Sequence, residues 1–388
     1  VSLNEEQYKG ALEYLSQTIF VPEADEQWLL DETERFCKDK AIYNAILNGI
    51  HIIDGKSKEH TPEALPSILT DALAVSFDTH VGHDYIEQAD ERYTYYHEVE
   101  DKIPFDLDFF NKITKGGLPP KTLNVCLAGT GVGKSLFMCH VAASSLLQNR
   151  NVLYITMEMA EEKIAERIDA NLMNISLEDL HDLPRRMYDS RIDKIRKKTT
   201  GKLIIKEYPT ASAHCGHFRA LHSELLLKKQ FRPDIIFIDY INICASSRFK
   251  YGSNVNSYTY IKGIAEEMRG LAVELEVPLV SATQTTRQGF VSTDIGLEDT
   301  SESFGLPATA DLMFALISTE ELEQLNQVLV KQLKNRYNDP TANKRFILGV
   351  DRSKMKLYDV SQKAQNDLVD TGQTDATNLE DRFSDFKI

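Results

Sequence analysis

The sequence predicts an α/β protein with a mostly parallel sheet, covered by helices on both faces and preceded by an all-helical region. Two observations support this prediction. Before about residue 100, apolar residues recur at helical spacing without strand-like alternation. After Ile103-Pro104, short aliphatic runs alternate with amphipathic segments. This order is typical of parallel sheets, because the crossover between parallel strands usually passes through a helix.

The helical region is predicted from apolar stripes such as Tyr8, Leu12 and Leu15, with a loop at the Gly-, Ser-, Lys- and Pro-containing segment 55–66. The last residues of the chain are rich in Asp, Thr and Gln without an apolar period, which is typical of disorder. The expected organisation is a helical collar region, whole or partial, over 1–83, a linker helix and connector over 84–110, an α/β domain over 111–365 and an acidic tail over 366–388.

Short aliphatic or β-branched runs predict the strands. The parallel strands are expected at 123–128, 152–156, 203–206, 235–239 and 279–282. Most are separated by predicted helices at 134–147, 161–172, 218–229 and 260–276. Later runs without long helices between them predict an antiparallel extension of the sheet at 312–317, 328–334 and 346–350.

Composition excludes several classes of protein. The hydrophobic fraction is 42% and the charged fraction 27%, as in ordinary soluble domains. No apolar run approaches the roughly 20 residues that span a bilayer, so no membrane association is expected. The first residues lack the pattern of a signal peptide, and a start at Val1 instead of Met indicates processing or truncation.

The five cysteines predict reduced thiols and a cytoplasmic protein, since their number is odd and no Cys-x-x-Cys pair occurs. His214-Cys215-Gly216-His217 suggests two alternatives, a metal site or a polar turn before a helix. The turn is favoured, because no second ligand pair has the spacing of a zinc site.

A phosphate-binding loop is predicted where the strand 123–128 meets the next helix. The loop is formed by Ala128, Gly129, Thr130, Gly131, Val132, Gly133, Lys134 and Ser135. Its glycines let the backbone wrap around phosphates, and the helix N-terminus adds its positive end. Lys134 would contact the β- and γ-phosphates of a nucleoside triphosphate, and the Ser135 hydroxyl would bind Mg²⁺.

Two carboxylates are predicted to complete a hydrolytic site. Asp239 ends the aliphatic run Ile235–Asp239, the pattern of a Walker B strand, and would be the second metal-binding residue. An N-cap role for Asp239 is weaker, because the following residues do not begin an amphipathic helix. Glu158 follows the strand 152–156 and is expected near the γ-phosphate as the catalytic base. A surface glutamate in the first turn of a helix is the alternative for Glu158.

In order along the chain, these motifs resemble the hexameric replicative helicases of the DnaB family, and within them those of T4-type phages. Further motifs that support the resemblance are Lys115–Gly117, Ser281–Gln284, Gly305–Asp311 and Lys334–Arg336. The resemblance covers roughly residues 100–365. It implies a RecA-like P-loop ATPase core that binds ATP or another nucleoside triphosphate together with Mg²⁺.

The resemblance also implies roles for three further residues. Gln284 would sense the γ-phosphate, and Lys334 and Arg336 would be fingers that reach the nucleotide of the neighbouring subunit. Alternate positions on a strand place the last two side chains on one face. A finger arginine contributes about 10³–10⁵ in rate. Fingers that act in trans require a ring, so we expect a homohexamer that hydrolyses ATP poorly as a monomer.

DNA contacts are expected in two loops. The first contains Arg248, Phe249, Lys250 and Tyr251, a mixture of cations and aromatic rings suited to single-stranded DNA. The second contains Arg287; a mobile surface loop is the alternative for both. The net charge of −15 weakens but does not exclude this interpretation, because a ring threaded by one strand needs positive charge only along its channel.

The resemblance therefore predicts a helicase that moves 5′→3′ on single-stranded DNA at the replication fork, with a primase and a helicase loader as partners. It would lie in the host cytoplasm if a phage encodes it. The main alternative is a RecA-type recombinase that forms filaments on single-stranded DNA; a non-catalytic ATP-binding scaffold is a further one. The helical N-terminal region and the Lys-x-Arg pair favour the helicase.

Overall fold

The structure is a computed structural model. It describes residues 26–54, 64–73, 75, 84–97, 100–249, 256–285, 305–361 and 365. The chain divides into two compact units, Val1–Glu98 and Val99–Ile388. The predicted apolar stripe of Tyr8, Leu12 and Leu15 and the acidic tail 366–388 lie outside the described residues.

The first unit is helical where it is described. Its helices are α1 (Glu26–Ile53), α2 (Leu65–Leu73) and α3 (Ala89–His97). Ala45 and Ile52 of α1 and Ala72 of α2 are buried, which marks the face on which apolar residues of these two helices are covered. The described part therefore agrees with the helical periodicity of the sequence, whereas the loop predicted at 55–66 falls mainly outside the described residues.

The second unit is built on a sheet of nine strands among the described residues. Its strands are β1 (Leu123–Ala128), β2 (Val152–Thr156), β3 (Leu203–Glu207), β4 (Ile235–Asp239), β5 (Leu279–Gln284), β6 (Leu312–Ile317), β7 (Gln327–Asn335), β8 (Arg345–Asp351) and β9 (Lys356–Asp359). Their order in the sheet is β3-β2-β4-β5-β1-β6-β7-β8-β9. In this order the pairings from β3 to β6 are parallel and the last three are antiparallel. The antiparallel extension is confirmed for β7 and β8, whereas its prediction for 312–317 is wrong, because β6 pairs parallel with β1.

Helices connect and cover these strands. They are α4 (Asp108–Thr114), α5 (Lys134–Leu147), α6 (Glu161–Met173), α7 (Leu177–His181), α8 (Arg185–Lys198), α9 (Cys215–Lys229), α10 (Ser257–Leu275), α11 (Gly305–Thr309) and α12 (Glu320–Gln324). Strand β1 shows how both faces of the sheet are buried. Leu123, Val125 and Leu127 belong to one apolar core, whereas Cys126 and Ala128 belong to the other. Alternation of side chains along a strand produces this division.

Several elements differ from the prediction. Strand β9 and helices α4, α7, α8, α11 and α12 were not predicted, and β5 continues beyond 282 to Gln284. Helix α8 has no buried residue: Tyr188, Ile192 and Ile195 recur at helical spacing, but they are only partly buried and are outnumbered by charged and polar residues. Strand β9 is only four residues long.

Two predictions concern the oxidation state of the cysteines and the role of the segment His214–His217. All five cysteines are free. His214 is the N-cap of α9: its Nδ1 accepts a hydrogen bond from the Gly216 amide at 3.0 Å, and the Nδ1 of His217 accepts one from the His214 amide at 3.2 Å. Within the described ranges no group of three His, Cys, Asp or Glu residues is arranged to bind a metal. The favoured alternative, a turn that leads into a helix, agrees with this geometry.

An aromatic cluster joins α4 to the sheet. The Phe110 ring is fully buried and lies 4.8–5.4 Å, between ring centroids, from Phe105, Phe137, Phe314 and Phe346. Such contacts, edge-to-face or tilted, stabilise a core beyond the area they bury. Phe110 thus fixes the segment that precedes β1 against the sheet.

Phe110→Ala should lower the free energy of unfolding by about 3–5 kcal/mol, because it leaves a cavity among four rings. Urea denaturation of the full chain, followed by fluorescence, measures this. Leu227→Ala, at a side chain that is 60% exposed, is the control and should cost at most about 0.5 kcal/mol. A loss of less than about 1 kcal/mol for Phe110→Ala would contradict the packing described.

Candidate nucleotide site

Three predicted site residues lie at the same edge of the sheet. Ala128, Asp239 and Gln284 end the strands β1, β4 and β5, which are adjacent and parallel in the order β4-β5-β1. Ala128 and Gln284 are direct neighbours in the register. Ligands of open α/β sheets bind outside the carboxyl ends of the strands, so this edge is the expected place for a nucleotide.

The phosphate-binding loop lies between β1 and α5, as predicted. Gly131 and Gly133 have φ angles of 78° and 136°, which L side chains rarely adopt. Helix α5 begins at Lys134 directly after Gly133. The unsatisfied amides of its first turn therefore point out of the sheet edge, where they can donate hydrogen bonds to an anion.

Lys134 lies at the base of this loop. Its Nζ donates hydrogen bonds to the carbonyls of Gly129 (3.2 Å) and Ala128 (3.4 Å), and the side chain is buried. Burial lowers the pKa of Lys134, and the nearby Glu158 and Asp239 oppose this shift. The ammonium is thus partly desolvated but close to two carboxylates, which suits it to neutralise a phosphate.

Asp239 is completely buried, and Tyr154 holds it. The Tyr154 hydroxyl donates a hydrogen bond to Oδ2 of Asp239 at 3.0 Å. Burial raises the pKa of Asp239, although the hydrogen bond from Tyr154, the nearby Ser135 hydroxyl and the charge of Lys134 lower it in part. The second carboxylate oxygen, Oδ1, is buried without a hydrogen-bond partner. An unpartnered carboxylate oxygen close to a serine hydroxyl fits the ligand preference of Mg²⁺.

Glu158 follows β2, adjacent to β4 in the sheet, and its side chain is exposed. Its charge acts on Lys134, Asp239 and Tyr240, which places it in the same electrostatic neighbourhood. Gln284 donates a hydrogen bond from Nε2 to the Tyr240 hydroxyl at 3.1 Å. Tyr240 therefore links Gln284 to the end of the Walker B strand.

Lys334 and Arg336 lie at the opposite edge of the sheet. Strand β7 runs antiparallel to β6, and Asn335 at its end pairs with Leu312 at the beginning of β6. Arg336 follows the end of β7, and its amide donates a hydrogen bond to the Asp311 carbonyl at 2.9 Å. With a rise of about 3.3 Å per residue, the length of a six-residue strand separates this edge from the phosphate-binding loop by roughly 15–20 Å.

The first predicted DNA loop is described as far as Phe249. Its base is fixed by the buried carboxylate of Glu267 on α10, which accepts hydrogen bonds from the Ser246 hydroxyl (2.6 Å) and from the amide (2.9 Å) and hydroxyl (2.7 Å) of Ser247. Burial raises the pKa of Glu267, but these hydrogen bonds outweigh it and hold the pKa below its usual value. The Phe249 ring lies against Gly263, where a Cβ atom would approach it to 2.7 Å.

The Arg248 side chain in this loop is exposed, and its guanidinium lies 3.1 Å from Glu266. Exposed ion pairs of this kind contribute little to stability and exchange easily for another anion. The remaining predicted DNA contacts lie outside the described residues; they are Lys250, Tyr251 and Arg287.

Four residues of these sites were missed by sequence reasoning. They are Tyr154, Glu267, Arg269 and Arg352. Arg352 donates a hydrogen bond to the Gly131 carbonyl at 3.2 Å from the turn between β8 and β9, 221 residues away in sequence. Neither sequence spacing nor a motif connects such distant partners. Tyr154 alone carried a signal, since a tyrosine inside an otherwise aliphatic strand needs a partner for its hydroxyl.

The sheet order, the loop at the end of β1 and the buried aspartate at the end of β4 define a RecA-like P-loop ATPase. Residues 103–345 match the model of the DnaB-like helicase C-terminal domain. The chain is 44% identical over 372 residues to the DnaB-like replicative helicase of Enterobacteria phage T4, covering 93% of this chain and 78% of that protein. The chain therefore belongs to the DnaB-like replicative helicases, as the resemblance predicted. These are ATP-dependent DNA helicases, and the recombinase alternative is not favoured.

Solved structures agree on the fold. A DnaB-like replicative helicase, described with its interactions with primase, has a TM-score of 0.60 at 18% identity, covering 91% of this chain and 83% of that one. A second solved structure, an isolated ATPase domain, has a TM-score of 0.58 at 18% identity, covering 72% of this chain and all of that one. No helix among the described residues is long and apolar enough to cross a membrane.

Asp239→Asn should abolish ATP hydrolysis while leaving the free energy of unfolding without Mg²⁺ unchanged or higher. Because the folded-state pKa of Asp239 lies above its ordinary value of 3.8, its contribution to stability is full below that value and is lost as the pH rises through the folded-state pKa. At pH 7 the buried carboxyl group therefore destabilises the fold relative to a neutral side chain, and asparagine removes this cost. Turnover should fall by more than about 100-fold.

Thermal melting at pH 5–8, with and without Mg²⁺ and nucleotide, measures the stability part of this prediction. Asp234→Asn is the matched control, since Asp234 lies just before the same strand and accepts a hydrogen bond from the Asn151 amide at 2.6 Å. It should lose stability and keep hydrolysis. A large destabilisation by Asp239→Asn at pH 7 would contradict the electrostatic account of the site.

Proposed function

We propose that this chain is a ring-shaped replicative DNA helicase that hydrolyses ATP at subunit interfaces and moves 5′→3′ on single-stranded DNA to unwind the fork. The observation that carries the proposal is the separation of two half-sites on one sheet. The phosphate-binding loop lies at the carboxyl ends of the parallel strands, whereas Lys334 and Arg336 lie at the other edge. A side chain cannot cover the roughly 15–20 Å between the two edges.

Within one subunit, the phosphate-binding loop and Lys134 would hold the triphosphate, and Ser135 and Asp239 would hold Mg²⁺. When bound, the ion would supply positive charge against the charge that develops on the transferred phosphoryl group. Glu158 is exposed beside this cluster and would accept the proton of the attacking water. Gln284 would respond to the γ-phosphate and transmit its presence through Tyr240, to which it is hydrogen-bonded.

Lys334 and Arg336 would complete the site of the neighbouring subunit. A guanidinium that reaches the transition state there contributes about 10³–10⁵ in rate. The distance between the two edges of the sheet supports a head-to-tail assembly, because each subunit then gives its fingers to one neighbour and receives fingers from the other. In the proposed function this assembly closes into a homohexamer.

Single-stranded DNA would contact residues of the two loops, namely Arg248, Phe249, Lys250, Tyr251 and Arg287. The exposed Arg248 supports this role for the first loop, since its only described ionic partner is a half-exposed glutamate. Phe249 would hold the loop base on α10 and stack less freely with bases, because its ring already covers Gly263. Helix α10 connects this loop to β5, which ends at Gln284, and offers a route from nucleotide to DNA.

The partners proposed beyond DNA are further copies of this chain, a primase and a helicase loader. A solved structure similar to this chain is described with its interactions with primase. The segment 1–83 is the proposed collar, whole or partial, 84–110 its linker helix and connector, 111–365 the motor and 366–388 an acidic tail. A cytoplasmic location, in the host if a phage encodes the chain, completes the proposal.

Unwinding of a forked duplex with a free 5′ tail tests the function. The wild type should separate the strands with ATP and Mg²⁺, and Lys134→Ala should fail, because it lacks the ammonium that binds the phosphates. A fork with only a 3′ tail is the control for direction and should stay paired. Lys121→Ala, at an exposed lysine before β1, is the control for loss of a positive charge. ATP hydrolysis by the wild type without any strand separation, with or without a loader, would contradict the helicase function.

A further inference from the structure

The segment 307–311 forms a cradle under the two proposed fingers, although the proposed function gives it no role. The Nζ of Lys334 donates hydrogen bonds to the carbonyls of Pro307 (2.6 Å) and Ala308 (2.8 Å). The Arg336 guanidinium donates to the Ala308 carbonyl (3.4 Å) and to the Asp311 carboxylate (2.8 Å). Both fingers thus rest on one short segment, which runs from the second half of α11 to the start of β6 and which we call the finger cradle.

Asp311 is the fixed point of the cradle. Its side chain is nearly fully buried, and one carboxylate oxygen accepts a hydrogen bond from the Leu123 amide at 3.0 Å. Arg269 of α10 donates to both carboxylate oxygens, at 3.0 and 3.1 Å. The backbone amide of Asp311 also donates to the Leu123 carbonyl at 2.8 Å. Asp311 is therefore tied to the central strand and to α10, so its carboxylate has little freedom to move.

The Arg336 guanidinium is positioned by hydrogen bonds that use only some of its N–H donors. Its side chain is 47% exposed, and the two contacts of the guanidinium use two of its five N–H donors. The others can form the paired hydrogen bonds that suit a phosphate. A long side chain that is already oriented loses less conformational entropy when it reaches a ligand.

The charges of the cluster fit an anionic partner. Arg269, Arg336 and Lys334 carry three positive charges, and Asp311 is the one acid in direct contact with them among the described residues. Burial and the charge of Arg336 lower the pKa of Lys334. A triphosphate bound to a neighbouring subunit would compensate this excess of positive charge.

We propose that Asp311 is a positioning residue for ATP hydrolysis, which acts through Arg336 on the nucleotide of the neighbouring subunit. Arg269 keeps the carboxylate in place, and the Ala308 carbonyl links the positions of the lysine and arginine fingers. This inference rests on the proposed function, since a positioning role exists only if Arg336 acts in trans.

Asp311→Asn tests the inference in the full chain. A displacement of about 1 Å of a catalytic group can cost about 100-fold, so we expect kcat to fall about 10–100-fold, less than with Arg336→Ala. The KM for ATP should stay within about twofold, because the subunit's own phosphate-binding loop is unchanged. Glu274→Gln is the matched control: Glu274 of α10 receives paired hydrogen bonds from Arg219 outside the cradle, and its loss should leave kcat unchanged.

Mixing each variant with Lys134→Ala separates positioning from folding. In a mixed ring, the Asp311→Asn subunit has an intact Lys134 and the Lys134→Ala subunit has intact fingers. Where the two adjoin, one nucleotide site has both parts, so turnover should be restored. The same rescue is expected for Arg336→Ala. A subunit that fails to fold cannot be rescued in this way.

Two results would overturn the inference alone. One is Asp311→Asn with wild-type kcat while Arg336→Ala is impaired. The other is rescue of Arg336→Ala but not of Asp311→Asn, which would make Asp311 structural. Failure of Arg336→Ala to lose turnover, or to be rescued, would instead overturn the shared site of the proposed function and the inference with it.

Discussion

The parallel register of β1 with its neighbours β5 and β6 is the constraint on which the rest of the structure depends. It brings the ends of β1, β4 and β5 together, and with them the phosphate-binding loop, Asp239 and Gln284. The reversal of direction at β7 sends Arg336 back to the beginning of β6. The two proposed halves of the catalytic site thus lie at opposite edges of one sheet, and the proposed ring of subunits would join them.

The electrostatics of each half follow from burial. Asp239 loses water on all sides and has one oxygen without a hydrogen-bond partner, so its negative charge is costly to bury unless a cation neutralises it. Asp311 is almost as deeply buried, but its partners are supplied by the chain itself, through Arg269, Arg336 and a backbone amide. The first acid suits the binding of a metal ion, and the second suits a rigid support.

The sequence predicted the strands of the parallel sheet well, because each is a short aliphatic run that packs between two layers of helices. It also predicted which residues meet at the carboxyl edge, since Ala128 and Asp239 end such runs. It missed α8, in which charged and polar residues outnumber a short, partly buried apolar stripe, and the partners that tertiary structure alone supplies. Tyr154 beneath Asp239, Glu267 beneath the loop at Arg248, and Arg269 beside Asp311 are separated from their partners by 85, 21 and 42 residues. The prediction that Lys334 and Arg336 share one face did not reveal that they share the carbonyl of Ala308.

The central claim, that no subunit completes its own site, is tested most directly by ATP turnover per subunit over a dilution series. Analytical ultracentrifugation at the same concentrations gives the fraction of subunits in rings. The account predicts that turnover per subunit falls in proportion to that fraction and nearly vanishes for free subunits, because their nucleotide lacks a neighbour's arginine. Turnover per subunit that stays constant after the rings have dissociated would contradict it.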